Sequence, residues 1–201
     1  MIRLFYACCL LWFAAVAQAA DPLVDKVRGL LQQPPVVSGR FEQVRELSGF
    51  PKPVASRGHF IVARERGVLW QTEAPFASSV RLTKGEILQK AGDTVTMRMS
   101  ADKEPAVRAI NGVMFALLSG DIAQLEQRFT VTGKVDGNRW ALSLVPREAS
   151  MAQVLSKIDL AGQRFVESVD MLDANGDRTR IRLLDITPAT ALGKAEAAQF
   201  D

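Results

Sequence analysis

Apolar and polar residues alternate along much of this chain, and the runs that do so are short. Val37 to Arg45, Gly58 to Arg64, Thr94 to Met99 and Trp140 to Leu144 each read as a strand with one buried face. Turn-forming residues separate such runs. Gly49, Pro51 and Pro53 make Leu47 to Ser56 a loop, Ala74-Pro75 breaks the chain, and Lys84-Gly85, Gly92-Asp93 and Asp136-Gly137-Asn138 read as tight turns. Hairpins are predicted for 79–83 with 86–89 and for 129–135 with 140–144. A closing hairpin joins 163–172 to 178–186 through Ala174-Asn175-Gly176-Asp177, and Pro188 ends the sheet. Val154, Ile158 and Leu160 fall on one face of a further strand. Strands this short, joined by turns this tight, predict an antiparallel meander.

Two stretches switch to helical spacing. Leu23, Val27, Leu30 and Leu31 follow Asp21-Pro22, a capping pair, and are stopped by Pro34-Pro35. Val107, Ile110, Met114, Leu117 and Leu118 recur at three and four residues and end near Ser119-Gly120, with 121–127 adding a turn. The tail to Asp201 is Ala-rich and partly helical. The expected fold is mainly β with helices: one strongly curved antiparallel sheet whose concave apolar face is covered by two or three helices.

The first residues change the picture of compartment. Arg3, an apolar run from Leu4 to Val16 and then Ala17-Gln18-Ala19-Ala20 have the layout of a secretory signal over residues 1–20, with cleavage expected after Ala19 or Ala20. The run is too short for a bilayer anchor. Both cysteines, Cys8 and Cys9, lie within it. The exported chain, 21–201, is therefore expected to be one domain without disulfide, thiol nucleophile or thiolate metal site. The formal charge of +3 falls by one when Arg3 is lost, and no basic block stands behind it. Nucleic-acid binding is not expected.

Candidate chemistry is sparse. His59, the one histidine, lies on the face opposite Phe60 and reads as structural or solvent-facing. Asp173 to Asp177 has the opening of a calcium loop, but the glycine is misplaced and Leu184 stands where the closing glutamate belongs, so a hairpin turn is expected. No nucleophile elbow or phosphate loop is found, so no catalytic residue, metal or cofactor is assigned. Arg64 ends an otherwise apolar face of Gly58, Phe60 and Val62. Turned inward, its five donors need carbonyls or carboxylates; at a turn, it reaches water. Met97, Met99, Met114, Met151 and Met171 suit either an ordinary core or a pocket for flexible acyl chains.

Gly39-Arg40-Phe41-Glu42-Gln43, then Gly58 to Arg64, Leu69-Trp70, Ala74-Pro75, Phe115 to Gly120 and Trp140 to Pro146 together resemble the outer-membrane lipoprotein carrier protein (LolA-like) family. The resemblance covers essentially the whole exported chain. It implies an incomplete antiparallel barrel closed by helices, holding acyl chains of lipoproteins as they cross the periplasm. Arg64 takes the place of the arginine that latches the helical lid. Phe41, Phe60, Val62, Val68, Trp70, Met97, Met99, Met114, Leu117, Leu118 and Trp140 are the candidate lining. Implied partners are an acylated lipoprotein or other lipid-like cargo, such as a glycolipid or polyene lipid, an inner-membrane exporter and an outer-membrane acceptor. A monomer in the periplasm of a Gram-negative bacterium is expected. Glu65 replaces the family's proline, Val68 an aromatic, and Lys84-Gly85-Glu86-Ile87-Leu88 a turn followed by Trp and Tyr. These departures bear on cargo, and Glu65 could compete for the Arg64 donors. The alternative expectation is a periplasmic sensor on the same fold that binds lipoprotein or a membrane partner.

Overall fold

A computed structural model describes residues 22–100, 115, 116, 118 and 121–200. Eleven strands form one antiparallel sheet: β1 (Val36–Glu46), β2 (Val54–Ala63), β3 (Gly67–Ala74), β4 (Ser78–Leu82), β5 (Glu86–Ala91), β6 (Thr94–Ser100), β7 (Phe129–Asp136), β8 (Arg139–Pro146), β9 (Leu155–Gly162), β10 (Val166–Asp173) and β11 (Arg178–Ala189). Their order is β6-β5-β4-β3-β2-β1-β11-β10-β9-β8-β7, so the first and second halves of the chain are each a meander, joined where β1 pairs with β11. The sheet does not close, since β6 and β7 are its two edges. The alternation predicts the antiparallel meanders, and the incomplete barrel is the one that the family resemblance implies.

Register explains which side becomes the core. Residues directly opposite in an antiparallel pair face the same way. Val37, Val62, Val68, Leu82, Ile87 and Met99 make one continuous apolar row across six strands. Ile181, Val169, Leu160 and Leu142 continue the concave face through the other half. A one-residue slip would turn either row to solvent, which fixes the register. Gly58 shows how tightly β2 meets β3: a Cβ there would stand 1.8 Å from the Gln71 carbonyl oxygen.

Among the described residues, short helices cover part of the concave face. Helix α1 (Pro22–Leu30) packs on β7 and on α2 (Ile122–Glu126), whose N-cap Asp121 accepts from the Gln124 amide at 3.3 Å. Val24, Val27, Ile122, Leu125, Phe129 and Leu144 are almost wholly buried. At about 25 cal/mol per Å², this burial is what holds two short helices that would not persist alone. On the convex face, α4 (Lys194–Ala197) and a 3-10 turn (Ala198–Phe200) follow β11. Phe200 and Leu192 pack on Val36, Ile61, Ala63 and Leu69, a second small core outside the sheet. The Arg66 guanidinium lies 6.0 Å from the centre of the Phe200 ring.

Several expectations need correction. The buried face of α1 is led by Val24 with Val27, whereas Leu23 and Leu30 are half-buried. Residues Val54 to Ser56, expected as loop, already belong to β2. Val154 is exposed and precedes β9; a single turn of helix, α3 (Ala149–Ala152), comes before it. Its parity matched Ile158 and Leu160, but the strand starts only after it. Pro188 lies within β11 opposite Val37, one residue before the strand ends. The signal segment and its cleavage site lie outside the described residues, as do Val107, Ile110, Met114, Leu117 and Ser119-Gly120. Within that predicted helix, Phe115, Ala116 and Leu118 are helical.

Candidate functional site

The concave face is filled at the β7–β9 side and hollow in the middle. A cavity of about 210 Å³ is lined by Gln43, Val68, Trp70, Val80, Leu82, Leu118, Val169, Met171 and Ile181. Among the described lining residues Gln43 is the one with a polar side-chain amide, which donates to the Ser56 hydroxyl at 3.3 Å. Apart from the Trp70 indole, the other described lining side chains are aliphatic or thioether, so the hollow favours apolar guests. Trp70 is its stiffest part: the indole stacks on Phe41 with ring centres 3.9 Å apart and lies 6.1 Å from Phe60. Such aromatic pairs add about 0.5–1.5 kcal/mol beyond area burial and fix the wall's shape. Leu118 comes from the covering helical segment. It also lines a second hollow of about 10 Å³ with Leu31, Val37, Phe60, Phe165 and Leu183, so its side chain partitions the space.

Among the sequence candidates, Val68, Trp70 and Leu118 line the cavity. Phe41 and Phe60, both buried, back the Trp70 wall, and Val62 belongs to the adjoining concave row. Met99 ends that row on β6, whereas Met97 is more than a third exposed. Trp140 is buried in the other half of the sheet, where its indole N–H donates to the Gln163 carbonyl at 2.7 Å, and it lines a larger groove there instead of this hollow. Val80, Leu82, Val169 and Ile181 were missed, Gln43 was noted only within a motif, and Met171 only as one methionine among several. Pairing each strand with its neighbour at the observed register would have found them, because they share parity with Val68 and Trp70.

Arg64 follows β2 and is half-buried. Its amide donates to the Pro35 carbonyl at 3.0 Å, and its guanidinium donates to the Gln33 side-chain oxygen. It therefore ties the β2–β3 turn to the link between α1 and β1, while Glu65 stands exposed. His59 is half-exposed, with Nδ1 2.8 Å from the Glu73 carboxylate. The Asp173 carboxylate accepts from the amides of Asn175 and Asp177 at 2.9 and 3.0 Å, a hairpin turn held by its own side chain. No group of three His, Cys, Asp or Glu able to hold a metal is found among the described residues. A larger groove of about 750 Å³ is of mixed character, with Lys134, Arg139 and Arg182 beside Trp140, Phe165 and Leu183.

An open, strongly curved sheet wrapped round an apolar hollow is the architecture of a container for apolar groups. A model of the family described as outer membrane lipoprotein carrier protein LolA-like matches residues 14–200, and the chain belongs to that family. It is 25% identical over 204 aligned positions to the outer-membrane lipoprotein carrier protein of Pseudomonas aeruginosa, covering 100% of this chain and 93% of the relative. The protein of that description from Azotobacter vinelandii is 24% identical over 190 positions, covering 92% and 86%. Among solved structures, a LolA superfamily protein from Nitrosomonas europaea superposes with a TM-score of 0.47 at 10% identity, covering 86% of this chain and 94% of that one.

Proposed function

We propose that this protein is a periplasmic carrier that shields the acyl chains of a lipoprotein or a similar amphiphile in its concave cavity and ferries them between the inner and outer membranes. The observation that carries this is the apolar hollow of about 210 Å³ under Leu118. A dry cavity of roughly 150 Å³ is enough to take up benzene. The resting hollow therefore admits one segment of a chain, and a whole acyl group requires the covering segment to move aside. Each methylene buried contributes about 0.8 kcal/mol, so binding rests on length rather than on a specific head group.

Release then needs an acceptor with higher affinity, because a carrier that binds every state equally transfers nothing. Arg64 is the proposed latch: its bond to Gln33 fixes the segment leading into β1, next to Leu31 and Gln32 of the small adjoining hollow, and breaking it loosens that corner. The partners fitting this role are an inner-membrane exporter and an outer-membrane acceptor. Native mass spectrometry of the protein purified from the periplasm, followed by lipid extraction, tests the proposal. Co-purified acylated material is the expected result. A clean apo mass, together with no uptake of a fluorescent acyl probe, would overturn it.

A further inference from the structure

The outer face of the first half of the sheet holds a further cavity, of about 440 Å³, separate from the acyl hollow. Register builds it. Leu69, Arg81, Leu88 and Arg98 stand opposite one another across β3 to β6, and Gln71, Ser79, Lys90 and Val95 make the next row on the same face. Both rows alternate with the concave one and so point away from it. Arg81, for example, lies between Val80 and Leu82, which line the hollow. The C-terminal 3-10 turn borders the cavity, where the Gln71 amide donates to the Gln199 side-chain oxygen at 2.9 Å.

Hydrogen-bond donors outnumber acceptors in this cavity. Arg81, Lys90 and Arg98 line it, and among the described lining residues Asp93 is the one acid. The nearby Glu86 carboxylate is shared: it accepts from Arg81 Nη2 at 2.8 Å and lies 3.6 Å from Arg98 Nη1. Three cations against the two carboxylates of Glu86 and Asp93 leave a net charge of plus one. Arg81 is only 19% exposed, and its Nε–H is shut off from water with no hydrogen-bond partner among the described residues. Nε and Nη2 form the side-on edge by which a guanidinium takes both oxygens of a carboxylate. Glu86 uses one half of that edge and leaves the buried half empty. A buried donor without a partner is costly, and native proteins keep few of them. Leu69 and Leu88, both buried, and Val95 add an apolar wall.

We infer that this cavity binds a small carboxylate with an apolar body, its two oxygens on the Arg81 edge and its charge balanced by Lys90 and Arg98. Nε is closed at rest, so the guanidinium turns toward the cavity as the ligand displaces Glu86, which keeps Arg98 as its partner. A net charge of plus one favours a monoanion over a dianion. The site lies on the face opposite the hollow and does not rest on the carrier reading. Titration with benzoate, followed through the arginine Nε–H signals in proton–nitrogen NMR spectra, tests it. The Arg81 signal, assigned by its loss in Arg81→Lys, is expected to shift saturably, less so at high salt. Benzyl alcohol, the neutral counterpart, should leave it in place. Arg81→Lys keeps the charge and the stem but not the edge, and should bind benzoate roughly tenfold more weakly by calorimetry. Lys90→Gln should weaken binding severalfold with an unchanged melting temperature. Val169→Phe, which fills the hollow, should bind benzoate as the wild type does. The inference is overturned if the Arg81 signal does not move, if benzyl alcohol shifts it equally, or if Arg81→Lys binds as tightly as the wild type. Loss of binding in Val169→Phe would place benzoate in the hollow and overturn it too. Tighter binding of dimethyl phosphate than of benzoate would overturn the carboxylate assignment.

Discussion

Replacing Val169 with phenylalanine should stabilise the protein and impair its cargo uptake at the same time. Val169 is buried on β10 and lines the cavity between Met171 and Ile181. Empty core volume costs about 24 cal/mol per Å³, so keeping a hollow of about 210 Å³ forgoes up to about 5 kcal/mol. A phenylalanine ring adds four carbons to this space, up to about 3 kcal/mol of burial, offset by about 1–3 kcal/mol if neighbours must shift. A net gain of about 1 kcal/mol would raise the melting temperature by roughly 2–4 °C in a chain of this size. The assay pairs thermal unfolding by circular dichroism with titration of a fluorescent acyl probe. Leu118→Ala is the reverse perturbation: it merges the two hollows, and should cost about 2–5 kcal/mol of stability while leaving or raising probe uptake. If Val169→Phe melts lower and still binds the probe at wild-type affinity, the hollow is not where acyl chains go.

Other consequences can be checked alongside. Arg64→Leu removes a charged donor from Gln33 and should cost about 1.5–3 kcal/mol, with a folded product whose cargo release to acceptor vesicles is altered. Identical release kinetics would remove the latch role. Gly58→Ala should abolish folding or lower the melting point by many degrees, because its Cβ meets the Gln71 carbonyl oxygen at 1.8 Å. Burial raises the Asp159 pKa, but hydrogen bonds from Lys157 and Ser143 and the charges of Lys157 and Arg178 outweigh it and hold it below the ordinary value. A carboxyl depressed by folding stabilises fully above its unfolded pKa of about 3.9 and loses that contribution as pH falls through its folded value. Melting temperatures of wild type and Asp159→Asn should therefore converge on acidification below about pH 4; a gap that persists there would refute the assignment.

Strand alternation and turn residues were enough to place the hairpins, because period two and the Gly, Pro and Asp-Gly signals are local. The ends of β2 and β9 were not, since whether Val54 or Val154 joins a ladder depends on its neighbour strand. The same limit governed the site. Trp70 and Val68 could be picked from their strand face, but Val169 and Ile181 come from the other half of the chain and join them only through the β1–β11 pairing. Trp140 shares the concave parity but lines the larger groove in the other half of the sheet, because core and lining alike demand a large apolar side chain on that face. Distance along the sheet separates the two, and a single strand carries no such coordinate.

The unclosed sheet has a mechanical consequence. In a closed barrel, strand number and stagger fix the radius, and widening it means breaking a hydrogen-bonded ladder. Here the two edges, β6 and β7, are not paired with one another. The circumference is free to open by a small change in twist at each of ten strand pairings, with every ladder intact. Capacity is then an elastic property of the whole sheet, and the resting volume is the unloaded length of a spring.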